Sequence, residues 1–176
     1  MTSRTFSRRP KRKPSARPAQ KPLVDEALEV LAEAEGSVTF GWLDRGVFYT
    51  RFVGALSTEI GIKFAARLQA ALDLVPSLRY FSDASALKTY DLLARSAFIR
   101  VVLANRRKFT SLLMLTWSQG ITKATSAFIV ALGEPVEVLT DAATFEARLV
   151  QAAPLAKQKL DPKTWKRASR SAPPPR

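Results

Sequence analysis

Two carboxylates, a lysine, a phenol and a guanidinium fall within residues 83–95: Asp83, Lys88, Tyr90, Asp91 and Arg95. Brought together at the end of a sheet, such groups can move a proton or hold an anion. The chain has no histidine and no cysteine. The side chain that usually shuttles protons near neutral pH is therefore missing, with the commonest metal ligands and all thiol or disulfide chemistry. The same residues also have a reading without chemistry. Asp91 suits the first turn of a helix, Asp91 and Arg95 are spaced as an i,i+4 ion pair, and Lys88 is a solvated lysine. So thin an inventory weighs toward this second reading, and the chain is expected to be non-enzymatic, with no cofactor and no metal. Ser82, Ser85 and Thr89 lie in the same stretch. As phosphoacceptors each would gain about two negative charges; as turn and cap residues they need no modification.

Other motifs are weak. No glycine-rich phosphate loop occurs, since Gly133-Glu134-Pro135 reads as a helix stop and Gly54 has no second glycine close by. Trp42, Phe48, Tyr49, Phe52 and Trp117 could stack on bases, yet they occupy strand positions, where sheet packing is the simpler account.

The elements that must position these residues follow from local pattern. Residues 24–35, rich in Ala, Leu and Glu and followed by Gly36, predict a leading helix. Residues 37–44 and 47–56 predict a hairpin turning at Arg45-Gly46. In its second strand Phe48, Thr50 and Phe52 share one face, and Val47, Tyr49, Arg51 and Val53 share the other, the less uniformly apolar pattern of a strand near a sheet edge. Ser57 is an N-cap residue, and Ile60, Phe64, Leu68, Ala71, Leu72 and Val75 recur at helical spacing until Pro76. A short strand over 78–85, a loop, and a helix over about 89–107 come next; Arg106, Arg107 and Lys108 at its end suit the helix dipole. The unbroken apolar run within 109–117 predicts a central strand. A helix over 121–132, a strand over 136–139 and a last helix capped by Asp141 complete the order. An antiparallel hairpin followed by strand–helix units implies an α/β domain with one mixed sheet of about five strands, the later ones parallel with right-handed crossovers.

Charge divides the chain into three. Lys and Arg number 28 against 15 Asp and Glu, a net of +13. Residues 1–24 contribute +8 and residues 157–176 contribute +6, so residues 25–156 sum to −1. Both ends mix bases with Pro, Ser and Ala, and are expected to be disordered basic tails flanking one domain over 25–156. The tails are candidates for sequence-nonspecific contact with nucleic acid or an anionic surface through Arg8, Arg9, Lys11, Arg12, Lys13, Lys163, Lys166 and Arg167. Trp165 is the one aromatic among these bases. No apolar run follows the N-terminal bases, so a secretory signal is not expected; no segment has the length of a transmembrane span. The expected location is the cytoplasm, with an organellar or nuclear signal in the basic N-terminus as a weaker alternative.

Gly46-Val47-Phe48-Tyr49, Val53-Gly54, Asp83-Ala84-Ser85, Tyr90-Asp91 and the stretch from Val138 to Phe145, in this element order, resemble the STAS domains, the group containing bacterial anti-anti-sigma factors. The likeness is nearest to a bacterial STAS-like branch that also resembles the CRAL-TRIO lipid-carrier fold, and it spans about residues 37–152. It implies a STAS-like fold and a regulatory protein-interaction module docking an unknown partner through the loop and helix around residues 82–95. The implied contact residues are Ser82, Asp83, Ser85, Lys88, Tyr90, Asp91 and Arg95. In regulatory members that helix opens with an Asp-Ser pair whose serine is phosphorylated. Here Asp91 matches the aspartate and Leu92 stands in the serine's place, so the phosphorylation switch does not carry over. A small-molecule or lipid carrier is the remaining alternative and would need an apolar cavity.

Overall fold

Alternation of apolar residues along short, turn-bounded runs lays down a sheet that helices cover on both sides. The structure, a computed structural model, describes residues 27–121 and 136–160. Its strands are β1 (Glu29–Ala32), β2 (Gly36–Asp44), β3 (Val47–Leu56), β4 (Leu78–Tyr90), β5 (Phe109–Leu115) and β6 (Val136–Leu139). They form one six-stranded sheet in the order β1-β2-β3-β4-β5-β6. β1, β2 and β3 pair antiparallel, and β3 through β6 pair parallel. The hairpin turns at Arg45-Gly46, where Gly46 takes φ +70°, a left-handed conformation that glycine adopts without strain.

Helices α1 (Thr58–Asp73) and α2 (Leu92–Ala104) pack on one face, and α3 (Ala142–Ala152) and the single turn α4 (Ala156–Lys159) on the other. The α1–α2 face is aromatic: Phe40, Trp42, Phe48, Phe52, Phe64, Tyr80, Phe98 and Phe109 form a chain of ring contacts with centroids 5.1–6.4 Å apart. The sheet-packing account of Trp42, Phe48, Tyr49 and Phe52 therefore holds, and all four are buried. Trp117 is part-buried at the end of β5, donating Nε1–H to the Thr140 carbonyl at 2.9 Å. The second face packs Leu43, Val47, Phe81, Leu113, Phe145 and Leu149.

α1 begins where expected, with the Ser57 hydroxyl accepting from the Ile60 N–H at 3.2 Å. Its two ends are tied down by the segment that contains α2. The Asp91 carboxylate accepts from the Thr58 N–H at 2.9 Å and the Thr58 hydroxyl at 3.1 Å, and Lys108 Nζ donates to the Leu72 carbonyl at 2.6 Å. Opposite charges thus sit at the two ends of α1 in the sense its dipole favours.

Four local expectations give way to tertiary structure. The described part of 24–35 holds β1 in place of a helix: residues 29–32 add to the free edge of β2, and Glu29 pairs with Arg67 of α1 at 3.2 Å. A ladder of hydrogen bonds outweighs helix propensities of a few tenths of a kcal/mol per residue. The expected loop at 86–88 is strand, because β4 continues alongside β3 as far as Tyr90 through two pairing irregularities. α2 is accordingly shorter than 89–107, and Arg106–Lys108 form a 3-10 turn whose lysine serves α1. β3 is third of six strands and buried on both faces, because its charged Arg51 has a buried counter-ion in Asp83.

Packing continues past residue 156 to Leu160, and Lys159 Nζ donates to the Trp42 carbonyl at 3.2 Å. The expected helix over 121–132 beyond its first residue, the tail at 1–24, and Lys163, Trp165, Lys166 and Arg167 lie outside the described residues.

Candidate functional site

Successive residues of a strand face opposite sides, so β4 separates Ser82 from Asp83. Asp83 points into the α3–α4 face, almost wholly buried, with Oδ2 3.7 Å from Arg51 Nε. Its Oδ1 accepts from the Ser85 N–H at 3.0 Å and the Ser85 hydroxyl at 2.6 Å. The Tyr49 hydroxyl faces the same carboxylate without a hydrogen bond of normal geometry. Burial pushes the Tyr49 phenol well above its ordinary pKa, the Asp83 charge adds to this, and Arg51 opposes it. This cluster is interior, and Ser85 lies at its margin as a structural partner of Asp83.

Ser82 points into the α1–α2 face. The remaining expected contact residues lie on the last residues of β4 and the start of α2, Tyr90 and Arg95 half-buried and Lys88 and Asp91 exposed. Lys88 is exposed, and the Asp91 carboxylate is occupied at the start of α1. The Arg95 guanidinium sits 5.9 Å from the centroid of the Tyr90 ring. The structure therefore does not gather Asp83, Lys88, Tyr90, Asp91 and Arg95 into one reacting cluster. Among the described residues no group of three or more acidic side chains could hold a metal ion, and no helix is long and apolar enough to cross a membrane.

Between the sheet and α1 and α2 lies an open cavity of about 90 Å³. Ser82, Ala84 and Met114 form its floor, and Phe52, Phe64 and Phe98 stand among its walls. Tyr90 and Arg95 also line it, at the start of α2. Its origin is local. On this face β4 changes from Leu78 and Tyr80 to the small Ser82 and Ala84. The helices above it are in close contact with each other: a Cβ placed on Gly61 of α1 would lie 2.3 Å from the Ala94 Cβ of α2. An empty apolar space of this size costs up to about 2 kcal/mol. The Ser82 hydroxyl is fully buried and lies beside the Tyr80 hydroxyl.

The outer surface of α2 is also distinctive. Leu92 is 74% exposed and Leu93 64%, side by side at the helix start. Residues 84–121 carry Lys88, Arg95, Arg100, Arg106, Arg107 and Lys108 against the single acid Asp91, a net of +5 inside a domain that sums to −1. Neither leucine stood out in the sequence, though a signal for their exposure existed: with Ala94 buried and facing the core, two leucines just before it fall on the outer arc of the helix.

No family model matches the sequence, and neither does any curated protein. Among solved structures, the chain is similar to an uncharacterized protein of the DUF3478 family with a SpoIIAA-like fold, from Shewanella loihica PV-4. The two are 15% identical, the match covers 70% of this chain and 92% of the other, and the TM-score is 0.50. The fold is SpoIIAA-like. A second similar structure is the anti-sigma factor antagonist SpoIIAA in its unphosphorylated form, 14% identical, with 71% of this chain and 98% of that one covered and a TM-score of 0.45. At such identities the likeness shows the fold alone. It agrees with the STAS-like architecture that the sequence pattern implied. Asp91 is the N-cap of α2 and Leu92 its first residue.

Proposed function

We propose that the domain is a non-enzymatic protein-docking module whose contact surface is the N-terminal half of α2 with the strand end that leads into it. The observation that carries this reading is the adjacent exposure of Leu92 and Leu93 among Lys88, Arg95 and Arg100. Burying a leucine side chain stabilises an interface by about 1.5–3 kcal/mol, so the pair is an apolar anchor of useful size. The surrounding bases select the partner by charge: a protein surface with an apolar recess rimmed by Asp or Glu fits, and a basic surface is repelled. Ser82 and Asp83, being interior, support the surface from beneath without touching the partner.

The test is quantitative affinity purification of the full chain from its own cells. The wild type is compared with the double variant Leu92→Asp, Leu93→Asp and with Leu74→Asp, which alters a 39% exposed leucine at the far end of α1. One partner should be lost at least about tenfold in the double variant and kept in Leu74→Asp. A partner set unchanged by the double variant would sink the proposal. Loss of all partners on nuclease treatment would point to nucleic acid instead. Circular-dichroism melts of the variants separate lost docking from lost folding.

A further inference from the structure

We infer that the partner of the docking surface carries an aliphatic side chain, Leu, Ile or Met, next to an Asp or Glu, and that this side chain fills the cavity beneath α2. The inference rests on the docking reading and names what the partner inserts. Its starting point is that the exposed leucines and the cavity are continuous. Leu92 lies two helical turns before Ile99 on one stripe of α2, and Ile99 lines the cavity. The lining residues from the end of β4 and from α2, Leu87, Tyr90, Arg95 and Ile99, are half-buried, whereas Phe64 of α1 and Ala84 of β4 are buried. The cavity therefore meets the surface where β4 runs into α2, beside the apolar anchor of the docking face.

Size and polarity choose the inserted group. A dry engineered cavity of about 150 Å³ holds benzene. The space here is about 90 Å³, which suits an aliphatic side chain and is too small to enclose an aromatic ring. Its walls are apolar, with three phenylalanine rings and the Met114 thioether, and the Ser82 hydroxyl is buried beside that of Tyr80. An apolar interior supplies burial without orientation, so orientation comes from outside the mouth. There Lys88, Arg95 and Arg100 surround one acid, Asp91, whose carboxylate serves the start of α1. Their summed field favours a carboxylate beside the inserted side chain, whichever cation it meets. A peptide segment with Asp or Glu adjoining Leu, Ile or Met satisfies both demands at once. A fatty acid or a lipid also joins an apolar chain to an anion, but its chain is longer than the space.

Selection of random linear peptides displayed on phage against the immobilised full chain tests the inference, in about 0.15 M salt to screen exposed charge. The wild type should enrich peptides in which Leu, Ile or Met adjoins Asp or Glu. Changing that aliphatic residue to Ala in the selected peptide, made synthetically, should weaken binding about tenfold. The same peptide should give saturable NMR shifts at Ala84, Ile99 and the Met114 methyl of the isotope-labelled full chain. Ala84→Val fills part of the cavity from below, and should also weaken the peptide about tenfold. No enrichment, enrichment without the aliphatic and acidic pair, or shifts confined to the outer surface would overturn the inference. Binding kept in Ala84→Val but lost in Leu92→Asp, Leu93→Asp would refute the insertion and keep the docking surface; the reverse pattern would refute the docking surface. Binding to phosphatidylglycerol vesicles that Ala84→Val abolishes, with no peptide selected, would assign the cavity to lipid instead. Should Ala84→Val fail to fold, the Met114 methyl shift in the wild type decides the matter.

Discussion

On the face that carries α1 and α2, β4 presents Tyr80, Ser82 and Ala84, and side-chain size falls away toward a cavity. On the face that carries α3 and α4, the intervening residues Phe81 and Asp83 are held tightly, Asp83 by Arg51 on one side and Ser85 on the other. One strand thus builds a fixed half and a half with room in it. The difference lies in what each face buries. A buried charge requires a partner at a set distance, and this fixes the strands that carry both. Aromatic and aliphatic contacts impose no such pairing. On the α1–α2 face the two helices meet closely at Gly61 and Ala94, and space is left where β4 is small.

The largest expected effect comes from breaking the fixed half. Asp83→Ala leaves Arg51 buried without its counter-ion and should destabilise the fold by about 3–5 kcal/mol in urea unfolding. The double change Arg51→Met with Asp83→Leu should recover most of that loss. Recovery no better than the single variant would mean that the pair has a role other than mutual compensation.

A smaller and opposite pair of effects sharpens the contrast. Ala153, the C-cap of α3, is fully buried in the core of its face, and Ala84 is buried at the cavity floor. Ala153→Leu overpacks a filled site and should cost about 1–3 kcal/mol. Ala84→Val fills space on a strand that accepts β-branched residues and should stabilise by about 0.5–2 kcal/mol. Thermal melts of both variants side by side would show the asymmetry, and equal losses would contradict it.

The smallest effect is in acid. Bonds from the Thr144 hydroxyl and the Thr144 and Ala143 N–H groups hold the Asp141 carboxyl below its ordinary pKa of 3.8. A carboxyl whose folded pKa is lowered stabilises at neutral pH and loses that contribution as pH falls through the lowered value. Asp141 caps α3, so the loss belongs to the α3–α4 face. Asp141→Asn should flatten the fall of Tm below about pH 4 and leave a neutral cap in its place. An unchanged acid limb would remove Asp141 from the account.

How much of this is legible in the chain depends on whether the signal is local. The helix after Ser57 and the one after Asp141 carry their caps and their periodicity within a few residues. The hairpin at Arg45-Gly46 and the apolar run of β5 are equally local. β1 is not, since nothing in residues 29–32 says that the edge of β2 is free to receive them. The end of β4 is not either, because Ala86, Leu87, Lys88 and Thr89 lack strand alternation and are strand through their pairing with β3.

The candidate site divides the same way. The residue types around 82–95, the basic excess of α2 and the absence of histidine and cysteine are properties of the sequence by itself. The tertiary structure alone decided that Ser82 and Asp83 face opposite halves of the core. It also decided that Asp91 and Lys108 serve the two ends of α1, and that a cavity opens beneath α2. The reason is physical: charge and hydrogen-bonding capacity belong to a residue, whereas burial, partner and empty space belong to the arrangement of strands and helices far apart in the chain.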